Sequence, residues 1–424
     1  MTPRAFLRGL LGSPTPDGRG EARLQPLEVH PGETVGVVLL NTGGPACPDD
    51  VEAFLYSRLM DPAETDWPVP APVRQWATRI RARRRARDLQ RAYELIGGSS
   101  PLSHHTREQA RALERRLNDR FGALTGARFR TYTAMRHGQP SAEDAARAMA
   151  EDGVTQVVLL PLHPHYAGTT TGSSLTQWSQ METAGTMPVW PTTEVLEYAA
   201  HPKYVQAVAE RVDEGLQRFP REVRHRVQVL FCAQGALQGR VDKARDPYCC
   251  LVHATVQQVM EARAGHDPER GVHVAFGEPL TSGRALAPEV RDTIHALADD
   301  GYDAVLIVPI SYVSDRIETA YELDVVVREQ ATTAGMVHFE VTNGLNGHPL
   351  FVEALAECAA AQLLPHTQGD GAATLVPSPL VALPRHDAAL RSIRCDSCTF
   401  VAEPCDWSGE AAVRVPAPPS AEAA

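Results

Sequence analysis

Between about position 34 and position 363, short runs rich in Val, Ile, Leu and Thr alternate with stretches whose apolar residues recur at helical spacing. The runs at 34–41, 129–135, 155–161, 227–232, 272–276 and 304–309 are predominantly apolar rather than alternating. That is the signature of strands covered on both faces. Helical periodicity occupies 49–59, 106–121, 142–152, 201–219, 247–264, 288–300, 317–334 and 349–363, and an arginine-rich helix leads into the turn at 97–100. Strand runs interleaved with helical stretches predict an α/β fold of parallel βαβ units with helices on both sheet faces.

The pattern also repeats itself. With Ala148 set on Ala296, the segments AMAEDGVTQVVLLPLHPHY and ALADDGYDAVLIVPISYVS agree at six positions, including Asp152 with Asp300, Gly153 with Gly301 and Pro161 with Pro309. Each reads as helix, Asp-Gly turn, buried strand closed by proline, then polar loop. Any αβ unit shares some of these features, but the proline after both strands favours a duplicated half. The expected organisation is an N-terminal extension at 1–32, a first half at 33–185, a second at 186–364, and a low-complexity tail at 365–424. Ligands of open parallel sheets bind outside the carboxyl ends of the strands. Attention therefore falls on the loops after Pro161, Cys232 and Pro309.

Composition narrows the function. A net charge of -11 argues against a nucleic-acid partner, which requires clustered Lys and Arg. No stretch approaches the roughly 18 apolar residues of a membrane span, and the first residues lack the apolar segment of a signal peptide, so a cytoplasmic protein is expected. The eight cysteines do not form the pattern of a disulfide framework.

Candidate chemistry sits in the loops. Asn41-Thr42-Gly43-Gly44-Pro45 lacks any dinucleotide or phosphate-loop spacing and reads as a tight turn bordering a pocket. In RRRARDLQRAYELIGGSSPLS, Arg85 and Tyr93 lie eight residues apart, near two helical turns, so with Ser100 they could line one groove for a flat ligand bearing carboxylates. A solvated helix with an ordinary turn explains the same residues. His163 and His165 alternate along the chain and should face opposite sides. Asp315, Glu318 and Glu322 recur at helical spacing. They serve equally as helix-dipole partners or as oxygen ligands and proton carriers for a divalent cation.

VVLLNTGGP, YELIGGSSPL, AMRHGQPS, LPLHPHYAGTTTGSS, LFCAQGALQGRVDKARDPY, VPISYVSDRIETAYELD and LNGHPLF follow one another in the order and approximate spacing of the ferrochelatase family. The chain resembles that family over about 34–362, most specifically in SDRIETAYELD. The resemblance implies two Rossmann-like halves with a cleft between them, and a lyase that inserts Fe2+, its substrate, into a porphyrin such as protoporphyrin or coproporphyrin during haem biosynthesis. It assigns porphyrin contacts to Arg85, Tyr93 and Ser100, and iron or proton handling to Glu318. A monomer or homodimer is expected.

Three departures accompany it. Gln234 in Cys232-Ala233-Gln234 stands where the family has a histidine, Arg316 stands where it has the histidine of an Asp-His pair, and GEPLTSGRALAPE replaces an apolar, Trp-containing segment. A glutamine amide hydrogen-bonds but accepts no proton. Gln234 at a catalytic position therefore predicts either a base borrowed from Glu318, His163 or His165, or a catalytically impaired porphyrin- or haem-binding paralogue. The tail carries Cys395, Cys398 and Cys405, a spacing open to a metal site, to idle cysteines, or, as in some ferrochelatases, to a [2Fe-2S] cluster. Those relatives take a fourth thiolate at the position of Gly168 here, which leaves Cys249, Cys250 and Cys358 as substitutes.

Overall fold

The computed structural model describes residues 26–65, 69–244, 246–263, 270–280 and 283–366, without the side chains of 242–244. Two four-stranded parallel sheets dominate. The first runs β3-β2-β4-β5, from β2 (Thr34–Asn41), β3 (Arg128–Met135), β4 (Gln156–Pro161) and β5 (Thr192–Glu194). The second runs β7-β6-β8-β9, from β6 (Gln228–Ala233), β7 (Val272–Phe276), β8 (Ala304–Pro309) and β9 (His338–Val341). In both, the first strand of the half lies between the second and third, and the fourth closes the edge. Register sharpens the likeness: Leu40 sits beside Pro161 and Cys232 beside Pro309. The duplication read from the prolines is thus a duplication of topology.

Among the strands that read as apolar runs, the inner ones are buried and the edge strands β3 and β7 only in part. Every residue of β4, β6 and β8 is buried, because helices cover both faces of each sheet. One apolar cluster is shared, joining Val35, Val37 and Leu39 to Val229, Phe231, Leu306 and Phe351 through the helices between the sheets. Separate clusters around Trp178 and around Ile294 close the outer faces.

Two boundaries move. β5 pairs with β4 and belongs to the first sheet, so the first half continues beyond 185 through at least Glu194. Residues Leu27–Val29, expected within the N-terminal extension, form β1 and pair in parallel with β10 (Leu363–Pro365). The preceding helix, Pro349–Ala360, lies against the first half's helix Leu102–Leu117 and the second half's helix Pro202–Gln217. Its Glu353 and Glu357 pair with Arg116, Arg120 and Lys203, with Lys203 Nζ 2.8 Å from Glu357 Oε1. No described helix is long and apolar enough to cross a membrane.

Sharp turns at the strand ends depend on particular glycines. Gly43 has φ +85°, and a Cβ there would lie 2.0 Å from the carbonyl oxygen of His137. Left-handed backbone and a backbone clash coincide, so Gly43→Ala should lower unfolding stability by about 2 kcal/mol or more, read as a fall in the denaturation midpoint.

Candidate active site

Helices Val51–Met60 and Ala71–Leu95 pack on one another and meet the second half through a small apolar patch of Ile317, Leu280 and Tyr321. Beneath that patch lies a cavity of about 80 Å3 on the seam between the halves. The first half contributes Gly43, Arg58, Tyr93 and Ser100, and the second contributes Arg316, Glu318 and Glu322.

The wall from the first half is built by close approach. A Cβ on Gly44 would lie 2.6 Å from Ser100 Oγ, so only a bare backbone lets the Asn41–Pro45 turn and Ser100 meet. Ser100 N–H donates to the Pro45 carbonyl at 3.1 Å, and burial raises the hydroxyl pKa of Tyr93. Behind the wall, Arg58 Nε and Nη2 grip Glu64 at 3.0 and 2.9 Å, and Arg136 pairs with Asp61 at 2.8 Å. Despite its burial, Glu64 is held down to about 2 by the Arg58 charge.

The opposite wall is the start of a helix with π geometry, Glu318–Val327, continuing as Arg328–Ala334. π segments recur at functional sites, and the first half repeats this one at Gly168–Gly172 after β4. Arg316 is buried, lies 5.4 Å from the centre of the Tyr312 ring, and forks onto Glu318 through Nε at 2.6 Å and Nη2 at 2.8 Å. Burial alone would raise the pKa of Glu318, but the charges of Arg316 and Arg58 outweigh it and keep the carboxylate ionised. Glu322 is exposed towards the cleft, yet enclosure by surrounding protein and the neighbouring Glu318 charge push it up to about 7. The cavity thus holds one fixed anion and one carboxyl that changes protonation near neutrality.

Several expected residues lie elsewhere. Arg85 does not share a face with Tyr93, because eight residues at 3.6 per turn leave the pair roughly 80° apart. Tyr93 is buried, whereas exposed Arg85 donates from Nη1 to the carbonyl of Leu280 at the cavity's rim. Asp315 is spent on structure, accepting from Asn346 Nδ2 at 2.6 Å and Gly344 N–H at 2.9 Å. Gln234 lies just beyond β6, its carbonyl accepting from the Tyr248 hydroxyl at 3.0 Å, and is not among the cavity-lining residues. Neither histidine of the Pro161 loop lines the cavity. His163 Nε2 lies 3.4 Å from Thr42 Oγ1 and His165 Nε2 lies 3.0 Å from Thr255 Oγ1, and burial pulls both imidazoles down to about 3. They are neutral fixtures rather than proton carriers. Arg58 escaped the sequence reading, since nothing distinguishes it there from a surface arginine.

Cys395, Cys398 and Cys405 lie outside the described residues. Cys249, Cys250 and Cys358 are buried within helices, and burial holds the Cys358 thiol well above its usual range. Gly168 itself donates its N–H to Asp246 Oδ2 at 2.6 Å, beside a separate cavity of about 400 Å3.

A family model described as Ferrochelatase matches residues 34–363. This chain belongs to the ferrochelatase family. Proteins named ferrochelatase include one from Geotalea daltonii, 36% identical over 340 residues that cover 80% of this chain and 99% of the relative. A second, from Parasynechococcus marenigrum, is 35% identical over 344 residues, covering 80% and 86%, respectively. A third, from Gloeobacter violaceus, is 34% identical over 338 residues, covering 78% and 98%. Membership accounts for the two chelatase-type halves and turns attention to the cavity between them.

Proposed function

We propose that this protein inserts ferrous iron into a porphyrin, completing haem, in the cavity where Glu318 and Glu322 meet Tyr93 and Ser100. The observation that carries the reading is the pair of carboxyls with opposed protonation on the seam of a ferrochelatase fold. In the reaction, two pyrrole N–H protons leave as Fe2+ forms bonds to the ring nitrogens. A carboxyl that titrates near 7 is matched to taking one such proton, passing it to solvent and taking the second, which assigns that role to the solvent-exposed Glu322. Both oxygens of Glu318 are held by Arg316, so Glu318 acts first as fixed negative charge beside the incoming cation. Gln234 takes no proton, and the reading requires none of it. No step is assigned to an iron–sulfur cluster.

Ligand sites for molecules of this size span roughly 300 Å3 or more, so about 80 Å3 does not admit the macrocycle. Entry requires helix Ala71–Leu95 to part from the Leu280 segment, breaking the Arg85 contact. The freed guanidinium then stands at the rim, suited to a propionate.

The test is anaerobic addition of ferrous iron and protoporphyrin or coproporphyrin to the purified chain, followed by metalloporphyrin absorbance. Turnover is expected. Tight porphyrin binding without turnover would instead establish the impaired paralogue.

A further inference from the structure

β1 and β10 join the two ends of the fold, and their register brings together residues 336 positions apart, such as Leu27 and Leu363. Glu28 lies beside Leu364 and Val29 beside Pro365. The next rung therefore sets His30 against His366, whose N–H donates to the Val29 carbonyl at 3.0 Å. Neighbours across a parallel ladder project to the same face, about 4.8 Å apart, and the two imidazole centroids are 4.4 Å apart. Glu28, two residues before His30, shares that face by the strand period. Its carboxylate hydrogen-bonds His366 Nδ1. One ligand atom from each side chain lies within 4.8 Å of the others, and all three side chains are exposed. Glu33 is engaged nearby, accepting from the His30 backbone N–H at 2.8 Å and from Gln156 Nε2 at 3.0 Å.

We propose that Glu28, His30 and His366 bind a divalent transition-metal ion of the Zn2+ or Ni2+ type, which clasps the two ends of the fold. Two imidazoles and one carboxylate match the three-ligand set with an open fourth position found in zinc sites, and are a poor set for Ca2+ or Mg2+, which take oxygen donors. Bond lengths of about 2.0–2.2 Å require the three donor atoms to draw in slightly, and exposed side chains on adjacent strands can do so without moving backbone. The metal replaces the proton between Glu28 and His366. None of the three residues lines the Glu318 cavity, so the site is separate from iron insertion. Because binding needs both strands in register, the metal favours the folded chain over the unfolded one.

The test uses the full chain, stripped by chelator and titrated with Zn2+ or Ni2+ alone, read by bound equivalents and by thermal unfolding. One bound equivalent and a metal-dependent rise in Tm are expected, and both should survive Cys395→Ser with Cys398→Ser. His30→Asn combined with His366→Asn should weaken that equivalent by about 100-fold or more, exceeding what loss of an outer-shell partner costs. Its far-ultraviolet circular dichroism and rate of iron insertion should remain those of the parent. Equal stoichiometry and equal Tm shifts in parent and histidine variant would overturn the site.

Discussion

Glu318→Gln should reduce iron insertion by about 100-fold or more, the range associated with loss of a positioned acid–base or charge-bearing group, and should also destabilise the fold. The second effect follows from the pairing. Arg316 and Glu318 have side chains only 5% and 15% exposed, and removing one partner leaves a buried, uncompensated guanidinium, at a cost of about 3–5 kcal/mol. Rate and denaturation midpoint should therefore fall together. Adding Arg316→Gln should restore much of the midpoint and none of the rate. If Glu318→Gln retains full activity at a temperature where it is folded, Glu318 has no part in the reaction.

The next largest effect belongs to Glu322. In the unfolded chain this carboxyl titrates at its ordinary 4.5, and in the folded chain at about 7. Between those values the folded state binds more protons than the unfolded, so its contribution to stability declines as pH rises through that window. Activity runs the other way, because the base form appears as pH rises through about 7. Glu322→Gln should accordingly unfold at a higher temperature than the parent at pH 8, lose the rising limb of kcat/KM near neutrality, and be roughly 100-fold slower. The two carboxyls are linked, since the Glu318 charge helps raise Glu322. Residual activity in Glu318→Gln should therefore show its limb at lower pH. An unchanged limb in Glu322→Gln would assign the proton step to another group.

Much of this architecture was legible because burial on both faces leaves its mark on every residue of a strand. β4, β6 and β8 stand out for that reason, and the prolines closing β4 and β8 announce the duplication. The edges were not legible. Thr192–Glu194 is three polar residues long, and only pairing with β4 makes it a strand. At the site, Glu318, Tyr93 and Ser100 were found through resemblance to a family, and folding brings them to one cavity. Only the shared face of Arg85 and Tyr93 was misjudged, because eight residues turn a helix about 80° past two full turns, and Asp315 was misjudged by extending α-helical spacing back past the start of a π segment. Glu322 stood out through its helical spacing from Glu318, the neighbour whose charge helps raise it, whereas Arg58 meets Glu318 only across the cavity, far away in sequence, so no local pattern could announce it.

The helix Pro349–Ala360 carries a consequence for biosynthesis. All strands of the first sheet lie between Thr34 and Glu194, so that half can condense while the ribosome is still translating the remainder. Its wall of the cavity then waits, because Glu318 arrives much later and the helix that rests on both halves later still. A chain ending before residue 349 would retain every strand of both sheets and lack the helix that rests on both halves, leaving the apolar side chains that Phe351 and Leu355 cover without their partner.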